Sequence, residues 1–202
     1  MKPFQRYFPW LTTALAAICA AASLVPAETL EYDRNRVAAG EVWRLVSGQL
    51  VHWTPRMAAL DLGMLLGLGI WLEVRGDRRL VALTMALGGG LTVLGVQELS
   101  PDLAVYRGSS GLASALFVLA AVRLKSVNDP VTRNLAITGV VLFLTKASFE
   151  FLAGQTLFAG PLPPGVHVVP VVHLLGGLGG LVSATPSLSV RLPGLRSCST
   201  SN

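Results

Sequence analysis

Polar residues interrupt this chain only at long intervals. Apolar runs cover about residues 9–26, 56–73, 79–97, 109–124, 133–152 and 168–185, and the short segments between them carry most of the charge. A helix needs roughly 17–25 apolar residues to cross a bilayer. The pattern therefore predicts an all-α, polytopic membrane fold with six transmembrane helices. Residues 1–8 would form the N-terminal segment, 9–185 the membrane domain and 186–202 a polar tail. The connecting segments are too short for a separate soluble domain, and there is no internal repeat, metal-ligand cluster or phosphate-binding loop.

Composition agrees with the pattern. The chain is 52% hydrophobic and 13% charged, with a mean hydropathy of +0.59, where a soluble domain carries about a quarter charged residues. Its net charge of +5 is unevenly placed. Lys2, Arg6, Arg75, Arg78, Arg79, Arg123, Lys125, Arg133, Arg191 and Arg196 fall on one side of the predicted membrane. Arg34, Arg36, Arg44, Arg56 and Arg107 fall on the other, balanced by Glu28, Glu31, Asp33, Glu41, Glu98 and Asp102. The positive-inside rule makes the first side cytoplasmic, with both termini inside. The charge is thus an orientation signal and does not point to nucleic acid. The first span, with Lys2 and Arg6 ahead of it and small residues near Ala20 to Ser23, resembles a signal peptide. An even span count favours its retention as an anchor. Cys19 and Cys198 lie at different predicted depths and imply no disulfide.

Ionisable groups inside a span are costly and are functional candidates by default. Asp61, Lys146, Glu150 and His173 qualify. Lys146 and Glu150 are spaced i, i+4, as in an internal ion pair that aids packing. His173 shares a helix face with Gly176 and Gly180, a small-xxx-small pair that admits a neighbouring backbone. It is either a packing histidine or a functional one. Gly108-Ser109-Ser110-Gly111 opens the fourth span and reads as G-x-S-G. Ser110 then sits at a helix N-terminus, where unpaired N–H groups favour developing negative charge. The plainer reading is a Ser/Gly N-cap with small residues for packing. Ser110 and His173 both begin spans that start from the outer face, so they share a shallow depth, as a nucleophile and its general base would.

These residues resemble the rhomboid intramembrane serine proteases. The resemblance rests on six spans, G-x-S-G heading the fourth, a histidine before small residues in the sixth, and Trp43-Arg44 in the first outer loop. His52 and Asp61 also stand nine residues apart, where rhomboids have a histidine and an asparagine. Within the superfamily, Tyr106-Arg107-Gly108 before Ser110-Gly111-Leu112, Asp61-Leu62, and Val169-Pro170 before His173-Leu174-Leu175-Gly176 are similar to the rhombosortase branch. That resemblance implies a bacterial inner-membrane protein acting near the periplasmic face. Its substrates would be secreted or surface proteins with a C-terminal Gly-Gly, transmembrane and basic tail. The chain departs from the family at Ser114, where an aromatic usually stacks beneath the histidine, at Met57 in place of a second histidine, and at Asp61 in place of an amide.

The resemblance implies a Ser110–His173 dyad without metal or cofactor. No carboxylate in the sequence is evident to orient the imidazole. The Ser110 N–H, His52, Asp61 and Gly108 are the candidates for the oxyanion and substrate site. An ionised Asp61 would repel an oxyanion, whereas a desolvated carboxyl stays protonated more readily and can donate. Its other role is structural, as is that of His52 if it anchors the first outer loop. Trp43, Arg44, Gly176, Gly180, Lys146 and Glu150 are structural candidates. His167 reads as a surface residue, and the proline-rich loop from Ala153 to Pro170 suits a movable cap. The competing functions are a general rhomboid protease of single-span proteins and a non-catalytic, rhomboid-like binder of transmembrane helices. A small transporter would need repeated halves, which the sequence lacks.

Overall fold

The computed structural model describes residues 8–75 and 78–185. The N-terminal charges Lys2 and Arg6 and the tail 186–202, with Arg191, Arg196 and Cys198, lie outside the described residues. The described elements are α1 (Trp10–Ala22), α2 (Ala27–Leu30), β1 (Tyr32–Asp33), α3 (Arg34–Ala38), α4 (Arg44–Ser47), α5 (Pro55–Glu73), α6 (Arg78–Glu98), β2 (Val105–Tyr106), α7 (Ser110–Lys125), α8 (Pro130–Ala153) and α9 (Val171–Ser183). The fold is mostly helical. Local chemistry sets several of the helix ends. Thr54 and Asp129 each accept a backbone N–H three residues on, and Pro55 and Pro130 occupy the first helical positions of α5 and α8. Gly154, in the left-handed region, ends α8.

Among the described residues three helices, α5, α6 and α8, are long and apolar enough to cross a membrane. α1 and α9 have 13 residues each and α7 has 16, so the six apolar runs do not all become helices of spanning length. Thirteen residues rise only about 20 Å. The run at 168–185 is shortened because its helix begins only after Pro170, and the run at 9–26 because α1 ends at Ser23, ahead of Pro26. α7 is enclosed by its neighbours, with Leu116 and Leu119 fully buried in the main core beside Leu65, Leu72 and Val81.

Glycines fix how α6, α7 and α9 meet. A Cβ on Gly176 would collide with the carbonyl of Gly111, and one on Gly180 with the carbonyl of Ala115. The two helices therefore run parallel in backbone contact, the close approach that small-xxx-small spacing permits. Gly179 faces the other way, where a Cβ would stand 2.6 Å from the backbone of Gly88 on α6. α6 is continuous through Gly88-Gly89-Gly90, so the triplet is a packing surface and not a break. This seam places His173, in the first turn of α9, beside the first turns of α7.

At the far end, α1 hangs on α5. The fully buried Glu73 accepts the N–H of Leu11 at 3.1 Å, the N–H of Thr12 at 2.6 Å and the Thr12 hydroxyl. One carboxylate thus satisfies donors that a helix N-terminus would otherwise leave bare. Gly69 leaves the room that Thr12 fills.

The segment between α1 and α5 folds over the site end of the bundle. Within the mostly helical fold, one short antiparallel ladder among the described residues pairs Tyr32 with Tyr106 and Asp33 with Val105. Arg44 is 2% exposed and donates to the carbonyls of Glu28 and Glu31 and to the Glu41 carboxylate. Its neighbour Trp43 is 56% exposed. Of the Trp-Arg pair, only the arginine ties the loop together. Arg107 stacks 4.2 Å over Trp53 and pairs with Glu31 and Glu28, joining this segment to the strand ahead of α7. The backbone N–H of Glu28 and the Arg107 guanidinium hold the Glu28 carboxyl below its ordinary range.

Candidate active site

A sharp turn just ahead of Ser110 starts α7 there. Gly108 takes φ +142°, which L side chains rarely adopt. Its N–H donates to Gly48 O at 3.1 Å, and its carbonyl accepts the Tyr106 hydroxyl at 2.9 Å. Burial raises the pKa of the Tyr106 phenol, and a hydrogen bond with Ser110 partly offsets that rise. The phenol therefore stays protonated and serves as a donor.

The two adjacent serines face different ways. Ser109 is fully buried, with its hydroxyl 3.0 Å from His52 Nε2 and its N–H donating to the same nitrogen at 3.4 Å. Ser110, the first helical residue, borders a cavity of about 170 Å³. The same cavity is lined by Asp61 from α5, Ser114 from α7, Lys146 and Glu150 from α8, and His173 from α9. Loop 154–170 adds Phe158 and His167 to the wall, and α5 and the strand ahead of α7 add Met57, Met64 and Tyr106. His167 is thus exposed but at the rim of the site, a correction to its reading as a plain surface residue.

His173 is held from two sides. Its Nδ1 lies 3.4 Å from Ser114 Oγ, and its Nε2 lies 3.2 Å from Glu150 Oε2 and 3.2 Å from Lys146 Nζ. Lys146 donates to the same Glu150 oxygen at 2.6 Å, and the other oxygen accepts the N–H of Leu157 at 3.1 Å. The i, i+4 ion pair is therefore present, but it is not only a packing device. The expectation that no carboxylate orients the imidazole is corrected, because Glu150 touches it. The position where the family places an aromatic holds a hydroxyl that contacts the ring. Among the described residues no hydrogen bond joins Ser110 to His173, although both face one cavity; such contacts often tighten only when substrate binds.

The remaining sequence candidates divide by position. His52 holds the buried side of the turn through Ser109 and does not belong to the cavity wall. Asp61 does, and its Oδ2 lies 3.4 Å from His52 Nε2 without a hydrogen bond, next to the space a Cβ on Gly108 would take. Gly176 and Gly180 form the seam that brings His173 in. The Glu150–His173 contact was missed because i, i+4 spacing already gave Glu150 a partner. The readable signal was depth, since Glu150 lies near the same end of α8 as Lys146 and the loop leading to α9.

A hydroxyl at a helix N-terminus and an imidazole thus border one small cavity among apolar helices. The rhomboid domain model matches residues 39–189. The chain belongs to the rhomboid family, a family of intramembrane serine proteases, and is an integral membrane protein. No curated protein sequence matches it.

Proposed function

We propose that this chain is an active intramembrane serine endopeptidase with Ser110 as nucleophile and His173 as general base. The observation that carries the reading is that Ser110, at the exposed end of a helix dipole, and the His173 imidazole border one cavity. The Ser110 hydroxyl attacks a substrate carbonyl carbon and passes its proton to the imidazole, which returns it to the leaving amine. The resulting oxyanion forms beside the first N–H groups of α7, which have no partner within the helix. Asp61 is the second polar group at the oxyanion site, a role supported by a buried oxygen that lacks a hydrogen-bond partner beside Gly108. His52 anchors the turn from behind.

Residues 9–185 act as one membrane domain that crosses the bacterial inner membrane six times, with both termini cytoplasmic and the cavity near the periplasmic face. The substrates are surface or secreted proteins bearing a C-terminal Gly-Gly, transmembrane helix and basic tail, as in the rhombosortase branch. A helix must unwind before its carbonyls can be attacked, and glycine costs a helix about 1 kcal/mol per residue relative to alanine. A Gly-Gly junction therefore meets the cavity already weakened.

The test is co-expression with a reporter carrying such a tail, followed by gel shift. Wild type removes the tail, whereas Ser110→Ala and His173→Ala leave it intact. Equal processing by all three chains would discard Ser110 as nucleophile. Efficient cutting of an ordinary single-span reporter in place of the Gly-Gly one would assign a general rhomboid specificity. No processing of either reporter by a folded protein would favour a helix-binding role.

A further inference from the structure

The apolar helices carry a second concave feature that proteolysis does not use. We propose that the groove between α8 and α9 is a binding site for one anionic phospholipid, with an acyl chain along the groove and the phosphate at Lys125 and Arg133. Lys125 ends the helix that Ser110 begins, about 22 Å away along its axis. The headgroup therefore lies at the end of the bundle opposite the active site, which the orientation proposed above makes the cytoplasmic leaflet.

The groove arises because α8 and α9 both pack on α7 and only slightly on each other. Its volume is about 520 Å³, against about 170 Å³ for the site cavity. Ala121 and Gly177 are buried at its floor. Ile137, Val141, Leu178 and Leu181 line it while standing 45%, 55%, 45% and 50% exposed. Among the described residues, Lys125 is the one polar side chain in the lining.

An ordered water needs two to four polar partners, and this wall does not supply them. An empty groove would forfeit dispersion contacts along its whole length. In a bilayer the occupant is therefore hydrocarbon. Close pairing with another helix needs small residues at the surface, whereas here the small residues lie on the floor beneath branched rims. The length also suits a lipid chain. Ala136 to Leu144 on α8 rise about 12 Å, within the roughly 15 Å that one leaflet contributes to a hydrocarbon core of about 30 Å. Phe143, which also lines the active-site cavity, bounds the far end.

Charge selects the headgroup. Lys125 and Arg133 are exposed, and among the described residues neither pairs with an acidic side chain. Arg133 is three residues before Ala136 and four before Ile137, hence on the face of α8 that borders the groove. Asp129, the acidic residue between the two cations in sequence, is occupied in capping α8 through the N–H and hydroxyl of Thr132. A lysine in a last turn suits the helix dipole by itself. The dipole does not account for an apolar channel leading away from it, nor for Arg133 on the next helix. A zwitterionic lipid offers the same chain and phosphate but brings an ammonium of its own to a site with two cations. A net-anionic headgroup does not.

The test is native mass spectrometry of the full-length protein released from neutral detergent micelles. It is titrated with phosphatidylglycerol or with phosphatidylcholine of the same acyl chains. The expected result is one retained phosphatidylglycerol per chain, bound at least about fivefold more tightly than phosphatidylcholine, the factor that one basic residue contributes near an anionic surface. Lys125→Gln and Arg133→Gln should each weaken phosphatidylglycerol by about fivefold and leave phosphatidylcholine unchanged. Val141→Trp combined with Leu178→Trp fills the groove from both rims and should abolish retention of that lipid. Equal affinity of the wild type for the two lipids overturns the proposal. So does undiminished phosphatidylglycerol binding by the double tryptophan variant, shown to be folded by its thermal unfolding. None of these outcomes involves Ser110, so they are independent of whether the chain is a protease.

Discussion

Two serine–histidine pairs meet within a few residues of each other, and they contrast in every respect that matters for chemistry. Ser109 and His52 are hydrogen-bonded at 3.0 Å, with Asp61 at 3.4 Å from the same imidazole nitrogen. By proximity alone this is the better Ser-His-Asp set. Yet Ser109 is fully buried, and His52 offers it the same nitrogen that Asp61 approaches. A nucleophile needs room for a carbonyl. The looser group of Ser110, Ser114 and His173 has that room, because it lines a cavity. Access separates a site from a strut.

The largest effect expected is on the cavity-facing pair. Ser110→Ala and His173→Ala should each abolish tail removal to the limit of the gel assay, while Ser109→Ala should retain a working nucleophile. The comparison collapses if Ser109→Ala is as inactive as Ser110→Ala yet still folds. Next in size is the glycine seam. Gly176→Leu would drive a side chain into the Gly111 carbonyl, and overpacking of this kind costs typically about 1–3 kcal/mol or more. It should lower both the unfolding temperature and fluorophosphonate labelling, because the seam carries His173. The third change is Gly108→Ala, which forces a β-carbon onto φ +142°. A cost of about 1–3 kcal/mol should appear as reduced thermal stability in detergent.

Ser109→Ala itself should destabilise by about 1 kcal/mol, since it removes the hydroxyl from His52 Nε2 and leaves that nitrogen only the longer contact with the residue's backbone N–H, measured by thermal unfolding alongside activity. The smallest effect is electrostatic. Glu28 has its carboxyl held below the ordinary value of 4.5 by its own backbone N–H and Arg107. A lowered folded-state value means the stabilisation is present above 4.5 and fades as pH falls through the folded value. Glu28→Gln should therefore narrow its gap from wild type in the unfolding temperature as the solution is acidified below that range.

Much of this was legible along the chain. The spacing of Gly176, Gly180 and His173 gave the seam and the side on which the imidazole stands, because helical periodicity is a local property. The Gly108-x-Ser110-Gly111 turn was legible for the same reason. Trp43-Arg44 read as one unit, but burial splits it, and burial depends on what folds over the loop. Glu150 was half legible. Its partner at i−4 follows from the helix, whereas its partner on α9 depends on how α8 leans, which no spacing records. The six apolar runs were sound as runs, but proline and turn chemistry at their ends shortened two of the helices.

The contact of Gly176 with Gly111 has one more consequence. Between α7 and α9 there is no layer of side chains at this level, only main chain against main chain. A joint of that kind has no rotamers through which to loosen by degrees, so heat can open it only as a whole. The loss of Ser110 reactivity on warming should therefore be abrupt and coincide with unfolding of the bundle, with no temperature at which a folded protein carries a slack site.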